Sequence, residues 1–222
     1  MRMWDPQWAA LCARHRVLRC DLRGFGASEP PAEPWSHVDD LVALLDATGL
    51  TSVAVIGASF GGGVAIDLAL AYPGRVRALV LAAPALAGHE WSAQAEALGA
   101  AEEAALACGD LDAAVELNLR TWTADPVVRE TVAPMTRRAL ELQLAAQAEA
   151  AEPPPPDLSR LAAPALVLYG DRDLPDFPRI ARRIAAEAPD ARAEAVPGAG
   201  HLLTLERPEA FARRALAFLA GR

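Results

Sequence analysis

The spacing of apolar and polar positions changes several times along this chain, and the changes predict alternating strands and helices. Short, largely apolar segments predict strands at 16–20, 53–56, 76–82, 165–169 and 192–196. Apolar residues at helical spacing predict helices at 4–15, 36–48, 178–188 and 207–220. Strands that alternate with helices favour an α/β fold, with a mostly parallel sheet and helices on both faces.

Residues 85–151 interrupt this alternation, because strand signals disappear there and alanine-rich helical segments follow. Helices are predicted at 91–107, 110–123 and 126–150, with Pro134 interrupting the last one. The four prolines at 153–156 predict a stiff return to the sheet. We therefore predict a first core part at 1–84, an inserted helical cap at 85–157 and a second core part at 158–222.

The strand at 53–56 runs into a Gly-x-Ser-x-Gly turn, with Ser59 at its centre and a helix after it. On so sharp a corner Gly57 and Gly61 are expected to be small, so that strand and helix can approach closely. The following helix aims its first N–H groups and its positive end at an oxyanion formed there. The pattern predicts a nucleophile elbow that carries Ser59, although a serine that merely caps the helix fits it too.

Further candidates follow later strands, since reactive groups in an open parallel sheet belong at the carboxyl ends of its strands. Asp171, Asp173 and Asp176 all follow the strand at 165–169, and spacing alone leaves the choice between them open. His201 follows the last strand. The order serine, aspartate, histidine is the one that this kind of elbow requires. Near pH 7 His201 can act as the base while a carboxylate fixes its tautomer.

The other histidines are interpreted as solvated residues. His15 precedes a strand, His37 opens a surface helix, and His89 lies where the helical insertion begins. These three histidines are therefore less suited than His201 to take part in the chemistry.

Composition limits the class of protein and its partners. With 222 residues, of which 53% are hydrophobic, the chain can bury one sizeable core. A net charge of −8 argues against nucleic acid or an anionic membrane surface as partner. The three cysteines, Cys12, Cys20 and Cys108, lack metal-ligand spacing and are interpreted as reduced, which favours a cytoplasmic protein. We expect no metal and no cofactor, a small-molecule substrate, and we allow for a homodimer.

Together these residues resemble the α/β-hydrolase family, over nearly the whole chain. Three motifs carry the resemblance. The family's loop after its fourth strand is similar to Asp21-x-Arg23-Gly24-x-Gly26-x-Ser28. Its acid turn is similar to Gly170-x-x-Asp173, and its histidine loop is similar to Gly200-His201. The resemblance implies that Asp173 is the acid, in a triad with Ser59 and His201. Serine at the elbow favours the serine branch, closest to 3-oxoadipate enol-lactonase-like and esterase members.

The resemblance implies a serine hydrolase of a small carboxylic ester, lactone or thioester that works through an acyl-enzyme. Carbon–carbon bond hydrolases and cofactor-free haloperoxidases or perhydrolases are alternatives in the same family. The backbone N–H of Phe60 is the expected oxyanion donor. Phe60, Trp122, Leu174 and Leu202 are candidates for the substrate pocket, and each fits the core of the cap equally well.

The front of the chain departs from the family pattern. Family members have earlier strands, one of which leads into a His-Gly loop that supplies a second oxyanion N–H, and no His-Gly pair occurs in this sequence. We therefore expect an N-terminally truncated fold, with Met1 or Met3 internal to a longer natural protein. One oxyanion donor is worth about 10²- to 10³-fold in turnover elsewhere. An impaired or non-catalytic binding protein is thus the alternative function.

Overall fold

The computed structural model describes residues 1–221, and within them four parallel strands form one sheet. In spatial order these are β1 (Val53–Ala58), β2 (Val76–Ala82), β3 (Ala165–Gly170) and β4 (Ala191–Val196). Ala82 of β2 is paired with Ala58 on one side and with Leu168 on the other, so the strands end almost level. Because every neighbouring pair is parallel, all four carboxyl ends meet at one edge of the sheet.

Helices connect and flank these strands. They are α1 (Asp5–Cys12), α2 (His37–Ala47), α3 (Phe60–Ala71), α4 (Ala93–Ala107), α5 (Leu111–Trp122), α6 (Pro126–Leu144), α7 (Asp176–Glu187), α8 (Leu203–Glu206) and α9 (Pro208–Leu219). Helix α3 joins β1 to β2 and packs on both, and α7 does the same for β3 and β4. Helix α9 packs on β2 and β3. The predicted parallel sheet with flanking helices is confirmed.

The two central strands carry the core. The apolar side chains of 78–82 in β2 and 165–168 in β3 are at most 1% exposed. A strand with neighbours on both sides and helices packed on it needs a continuous apolar run rather than an alternating one. That requirement explains why β2 and β3 are easily recognised from the sequence.

The chain divides into two compact units. One contains Trp35–His89 and the chain from Ala150 onward, and it holds the whole sheet with α2, α3, α7, α8 and α9. The other contains Met1–Pro34 and Glu90–Glu149, with α1, α4, α5 and α6. The role of residues 85–157 as a cap stays a prediction.

Within the second unit, α5 packs against both α4 and α6. The carboxamide of Asn118 on α5 donates to the carboxylate of Glu102 on α4. Arg129 on α6 donates to Glu116 on α5 over 2.6 Å. This bond and a second one from Arg120 hold the pKa of the Glu116 carboxyl below its usual range. Polar side chains thus link the three helices in pairs.

The predicted strand at 16–20 was wrong. In the part of the chain that the structure describes, these residues have no strand pairing, and Leu18 is 46% exposed. Isolated extended backbone gains nothing from β propensity, because a strand is stabilised by hydrogen bonds to a neighbouring strand.

The predicted interruption at Pro134 was also wrong, since α6 runs through this residue without a break. A proline inside a helix removes one backbone donor and crowds the preceding turn. Buried side chains on both sides of Pro134 offset that cost: Val128, Val132, Leu140 and Leu142. Tertiary packing therefore outweighs the local preference of the proline.

Candidate active site

Ser59 lies on the sharp turn between the end of β1 and the start of α3. Its φ is +49° and its ψ is −121°, a conformation that is strained for any residue other than glycine. Its N–H donates to the carbonyl of Ala82 over 2.9 Å, and its own carbonyl accepts from Gly62 and Ala85, also over 2.9 Å. Backbone contacts on both sides hold the strained residue in place, as such a conformation requires.

The close approach of β1 and α3 requires one of the two glycines that the sequence singled out. A Cβ on Gly57 would collide with the backbone carbonyl of Gly61. A Cβ on Gly61 itself would meet nothing within 4 Å in the described chain, so the expectation that Gly61 must be small was wrong. The crowded neighbour is Gly62, where a Cβ would lie 2.8 Å from the Cβ of Pro84. The loop after β2, rather than β1, therefore limits the size of the residue at position 62.

The ring of His201 connects Ser59 to an aspartate. Its Nε2 lies 2.9 Å from Ser59 Oγ, and its Nδ1 lies 2.9 Å from Asp173 Oδ2. The side chains of His201 and Asp173 are 4% and 1% exposed. Hydrogen bonds between groups so far removed from water are electrostatically stronger than exposed ones. The structure thus brings together three residues that are far apart in the sequence.

The three aspartates after β3 have different partners. Asp173 contacts His201, and its second oxygen accepts the N–H of Leu174 over 2.7 Å. Asp171 accepts the N–H of Gly198 over 2.7 Å. Asp176 forms a hydrogen bond with His89. Spacing in the sequence did not distinguish the three aspartates. In the structure it is Asp173, of the three, that contacts His201.

Glycine also permits the close approach of the acid turn and the histidine loop. A Cβ on Gly170 would collide with the carbonyls of Ala199 and Gly200. On the far side, Glu206 at the end of α8 accepts the N–H of Gly200 over 2.5 Å. The loop that carries His201 is therefore held from both sides.

Phe177 is a site residue that the sequence analysis missed. It lies in the first turn of α7, is 2% exposed, and its ring centroid is 4.2 Å from that of His201. Asp173 precedes α7 and Phe177 lies inside it, so no regular spacing in the sequence signalled that both contact His201. Packing by Phe177 restricts the imidazole ring while Asp173 sets the direction of its Nδ1.

Three of the four residues predicted to bind substrate are sequence neighbours of this cluster. Phe60 follows Ser59, and its side chain is 45% exposed. Leu174 follows Asp173, Leu202 follows His201, and both are half-buried. Trp122 lies in the other unit, at the end of α5, where its Nε1 donates to Asn118 over 3.1 Å. A role for these four residues in binding stays a prediction.

Two histidines that were interpreted as solvated are not. His37 is 9% exposed, and its ring packs edge-on against Phe60, with centroids 5.2 Å apart, and against Trp35, 5.9 Å apart. The side chain of His89 is 10% exposed and bonded to Asp176. The local pattern around each histidine contains no information about its distant partner, Phe60 for His37 and Asp176 for His89.

Burial changes the pKa of one further carboxyl group in the unit that holds the sheet. It raises the pKa of Asp67, on the helix that follows Ser59, to about 6.

Residues 1–221 contain no group of three or more histidine, cysteine or acidic side chains placed to hold a metal ion. Among the helices of those residues, none combines the length and the apolar character needed to span a membrane.

A parallel sheet with crossover helices and a strained serine at its carboxyl edge defines an α/β protein of the hydrolase type. The sequence pattern of the alpha/beta hydrolase family matches residues 1–214. The chain therefore belongs to the α/β-hydrolase family, as its motifs indicated.

Solved structures and a curated relative agree with this assignment. A hydrolase from Pseudomonas aeruginosa PA01 is 32% identical, with a TM-score of 0.80, and the match covers 99% of this chain and 85% of that one. The enol-lactonase from Burkholderia xenovorans LB400 is 28% identical with a TM-score of 0.80, over 98% and 86% of the two chains. A 2-hydroxymuconate semialdehyde hydrolase from Pseudomonas sp. (strain CF600) is 42% identical over 82 residues. That segment is 35% of this chain and 29% of the relative. These relatives support an α/β-hydrolase-type enzyme.

Proposed function

We propose that this chain is a serine hydrolase that acts on a small carboxylic ester, lactone or thioester through an acyl-enzyme. The observation that carries the proposal is the buried ring of His201, with one nitrogen 2.9 Å from Ser59 Oγ and the other 2.9 Å from Asp173 Oδ2. A nucleophile, a base within hydrogen-bond reach and a third group that orients the base are what covalent catalysis by serine requires.

The direction of each hydrogen bond gives the order of proton transfers. The Asp173 carboxylate can only accept, so Nδ1 of His201 carries a proton and Nε2 has the free lone pair. Nε2 takes the proton of Ser59 as Oγ attacks the substrate carbonyl, and then gives that proton to the leaving group. Water, activated in turn by Nε2, hydrolyses the acyl-enzyme and restores Ser59.

The start of α3 supplies stabilisation for the negative oxygen of the tetrahedral intermediate. Phe60 is the first residue of that helix, directly after Ser59. Its backbone N–H is the proposed oxyanion donor, and the positive end of the helix dipole adds to it. In this proposal Phe60 has two roles, since its exposed side chain also contacts substrate.

The substrate class is supported by the names of the relatives and by the type of site. A likeness to an enol-lactonase over 98% of the chain favours esters and lactones. Because of the shorter match to a 2-hydroxymuconate semialdehyde hydrolase, 2-hydroxymuconate semialdehyde is added to the substrates to be tested. The small-molecule partner, the cap role of residues 85–157 and a cytoplasmic location belong to the same proposal.

The test is hydrolysis of a short-chain p-nitrophenyl ester, together with labelling by a fluorophosphonate probe that forms a bond only with an activated serine. The proteins compared are the wild type, Ser59→Ala, His201→Ala and, as a matched control, Ser52→Ala. Ser52 directly precedes β1, at the opposite end of the strand from Ser59. We expect turnover and labelling in the wild type and the control, and neither in the other two variants.

A folded wild type that neither turns over the ester nor reacts with the probe would reject this function and leave the non-catalytic alternative. Labelling without turnover on esters would keep the activated serine and move the substrate search to lactones, thioesters and the semialdehyde.

A further inference from the structure

A second pair of histidine and aspartate lies beside the first, and the proposed reaction does not use it. His89 Nε2 is 3.1 Å from Asp176 Oδ1. The side chain of Asp176 is fully buried, and that of His89 is 10% exposed. Because a buried carboxylate is costly unless it is hydrogen-bonded, the contact with His89 helps to stabilise Asp176 in its buried position.

Asp176 lies in the middle of the segment that holds His201. Asp173, three residues before it, binds Nδ1 of His201, and Phe177, directly after it, packs on the ring of His201. Asp173 and Phe177 therefore move with the backbone at Asp176. Whatever fixes Asp176 also fixes the two contacts that orient the proposed base.

The loop after β2 carries His89 and also contacts the serine turn. The N–H of Ala83 donates to the carbonyl of Leu168 over 2.7 Å, and the N–H of Ala85 donates to the carbonyl of Ser59 over 2.9 Å. The loop then ends at His89, whose own N–H closes a turn onto Leu86. One short segment thus contacts the backbone of the nucleophile at its start and the first residue of α7 at its end.

We infer that residues 83–89, which we call the strap, set the separation of Ser59 from the pair formed by Asp173 and His201. Within the strap, His89 is a positioning residue. It acts through its hydrogen bond to Asp176. This inference rests on the proposed function, because it assigns His89 a part in that same reaction.

The chemistry of the proposal depends on distance. Proton transfer from Ser59 to His201 needs Oγ and Nε2 within hydrogen-bond reach, and a misplacement of about 1 Å can reduce turnover by about 10²-fold. Loss of the bond from His89 removes one contact of the Asp176 carboxylate and lets the first turn of α7 shift, and Asp173 and Phe177 would follow. The loss would fall on the rate of chemistry rather than on the binding of substrate.

Three substitutions test this. His89→Ala removes the donor, and His89→Gln keeps an N–H donor near the position of Nε2. His89→Asn has a side chain too short by one methylene. His15→Ala, in the other unit, is the matched control. The measurements are kcat and KM for the ester, the rate of fluorophosphonate labelling, and the thermal midpoint of unfolding.

We expect His89→Ala and His89→Asn to lower kcat and the labelling rate by roughly 10- to 100-fold, with KM changed by less than about twofold. His89→Gln should recover most of both rates, and His15→Ala should resemble the wild type. If His89→Ala does not fold, the comparison of Gln with Asn carries the same test.

Wild-type rates in a folded His89→Ala or His89→Asn protein would overturn the inference. A thermal midpoint that falls with no change in kcat would do the same, because it would show a structural role alone. Failure of the proposed function looks different, since the wild type itself would then show no labelling that depends on Ser59.

Discussion

The two histidine–aspartate pairs of this protein are alike in composition and burial, and they differ in which ring nitrogen meets the carboxylate. In the first pair Asp173 contacts Nδ1 of His201, so Nε2 is directed at Ser59. In the second pair Asp176 contacts Nε2 of His89. Asp176 thus binds Nε2 of its histidine, the nitrogen that contacts Ser59 in the first pair. Orientation of the ring, rather than the presence of a buried pair, therefore separates a proposed base from a residue that only positions.

The largest effect should come from removing the two groups that exchange the proton, Ser59 and the histidine of the first pair. Ser59→Ala and His201→Ala are each expected to lower kcat by about four orders of magnitude or more, because nucleophile and base act as a unit. The same measurement on the double variant tests the unit directly. Its loss should be about that of either single variant, and a multiplicative loss would contradict a shared proton transfer.

Asp173→Asn should come next, with a fall in kcat of about 10³- to 10⁴-fold. The amide NH₂ of asparagine would donate to Nδ1, which places the ring proton on Nε2 and leaves no lone pair for Ser59. Asp176→Asn is the matched comparison three residues away, and we expect it to lose at least tenfold less. Equal losses in the two variants would erase the distinction between the pairs.

Phe177→Ala separates packing from hydrogen bonding at the first pair. Truncation of this buried ring should reduce the free energy of unfolding by about 3–5 kcal/mol, measured by urea denaturation. Turnover should fall by roughly tenfold, because the imidazole keeps Asp173 but loses the ring beside it. A protein that is destabilised and still fully active would show that Asp173 alone orients His201.

The smallest effect concerns a carboxylate whose pKa shift is caused by burial, Asp67. Its pKa in the folded protein is about 6, above the ordinary value of 3.8. Between these values the unfolded chain loses the proton first, so the free energy of unfolding decreases as pH rises from about 4 to 6 and stays lowered above that. Asp67→Asn should be more stable than the wild type at pH 8, by about 1 kcal/mol after allowance for solvent screening. Near pH 4 the two proteins should be alike, and a difference independent of pH would contradict the assignment.

What could be predicted from the sequence follows from how local each signal is. The strands β2 and β3 were visible because burial on both faces gives a continuous apolar run, and Ser59 was visible because its turn needs a specific local pattern. Side-chain contacts across the sheet leave no such trace. The bond of His89 to Asp176 joins residues that are 87 positions apart, and nothing in the neighbourhood of either residue records it.

The same reasoning explains the errors. Gly61 was expected to be small because the motif contains it, but a Cβ there would meet nothing within 4 Å in the described chain. It is the next glycine, Gly62, that is crowded, by Pro84, which lies outside the motif. The segment 16–20 was expected to be a strand on its own composition, whereas strand formation depends on a partner. In each case the deciding group lies elsewhere in the chain, so a linear pattern could not reveal it.

The pairing of β2 with β3 has a consequence for how the protein folds. Residues 59–75 separate β1 from β2, whereas residues 83–164 separate β2 from β3. Loop-closure entropy grows only with the logarithm of length, so the roughly fivefold longer connection adds about 1.4 kcal/mol to the cost of bringing its ends together. Pairing at such a sequence separation is nevertheless slow. We expect β1, α3 and β2 to assemble first, and the helices between the strap and β3 to tolerate changes in length with little effect on equilibrium stability.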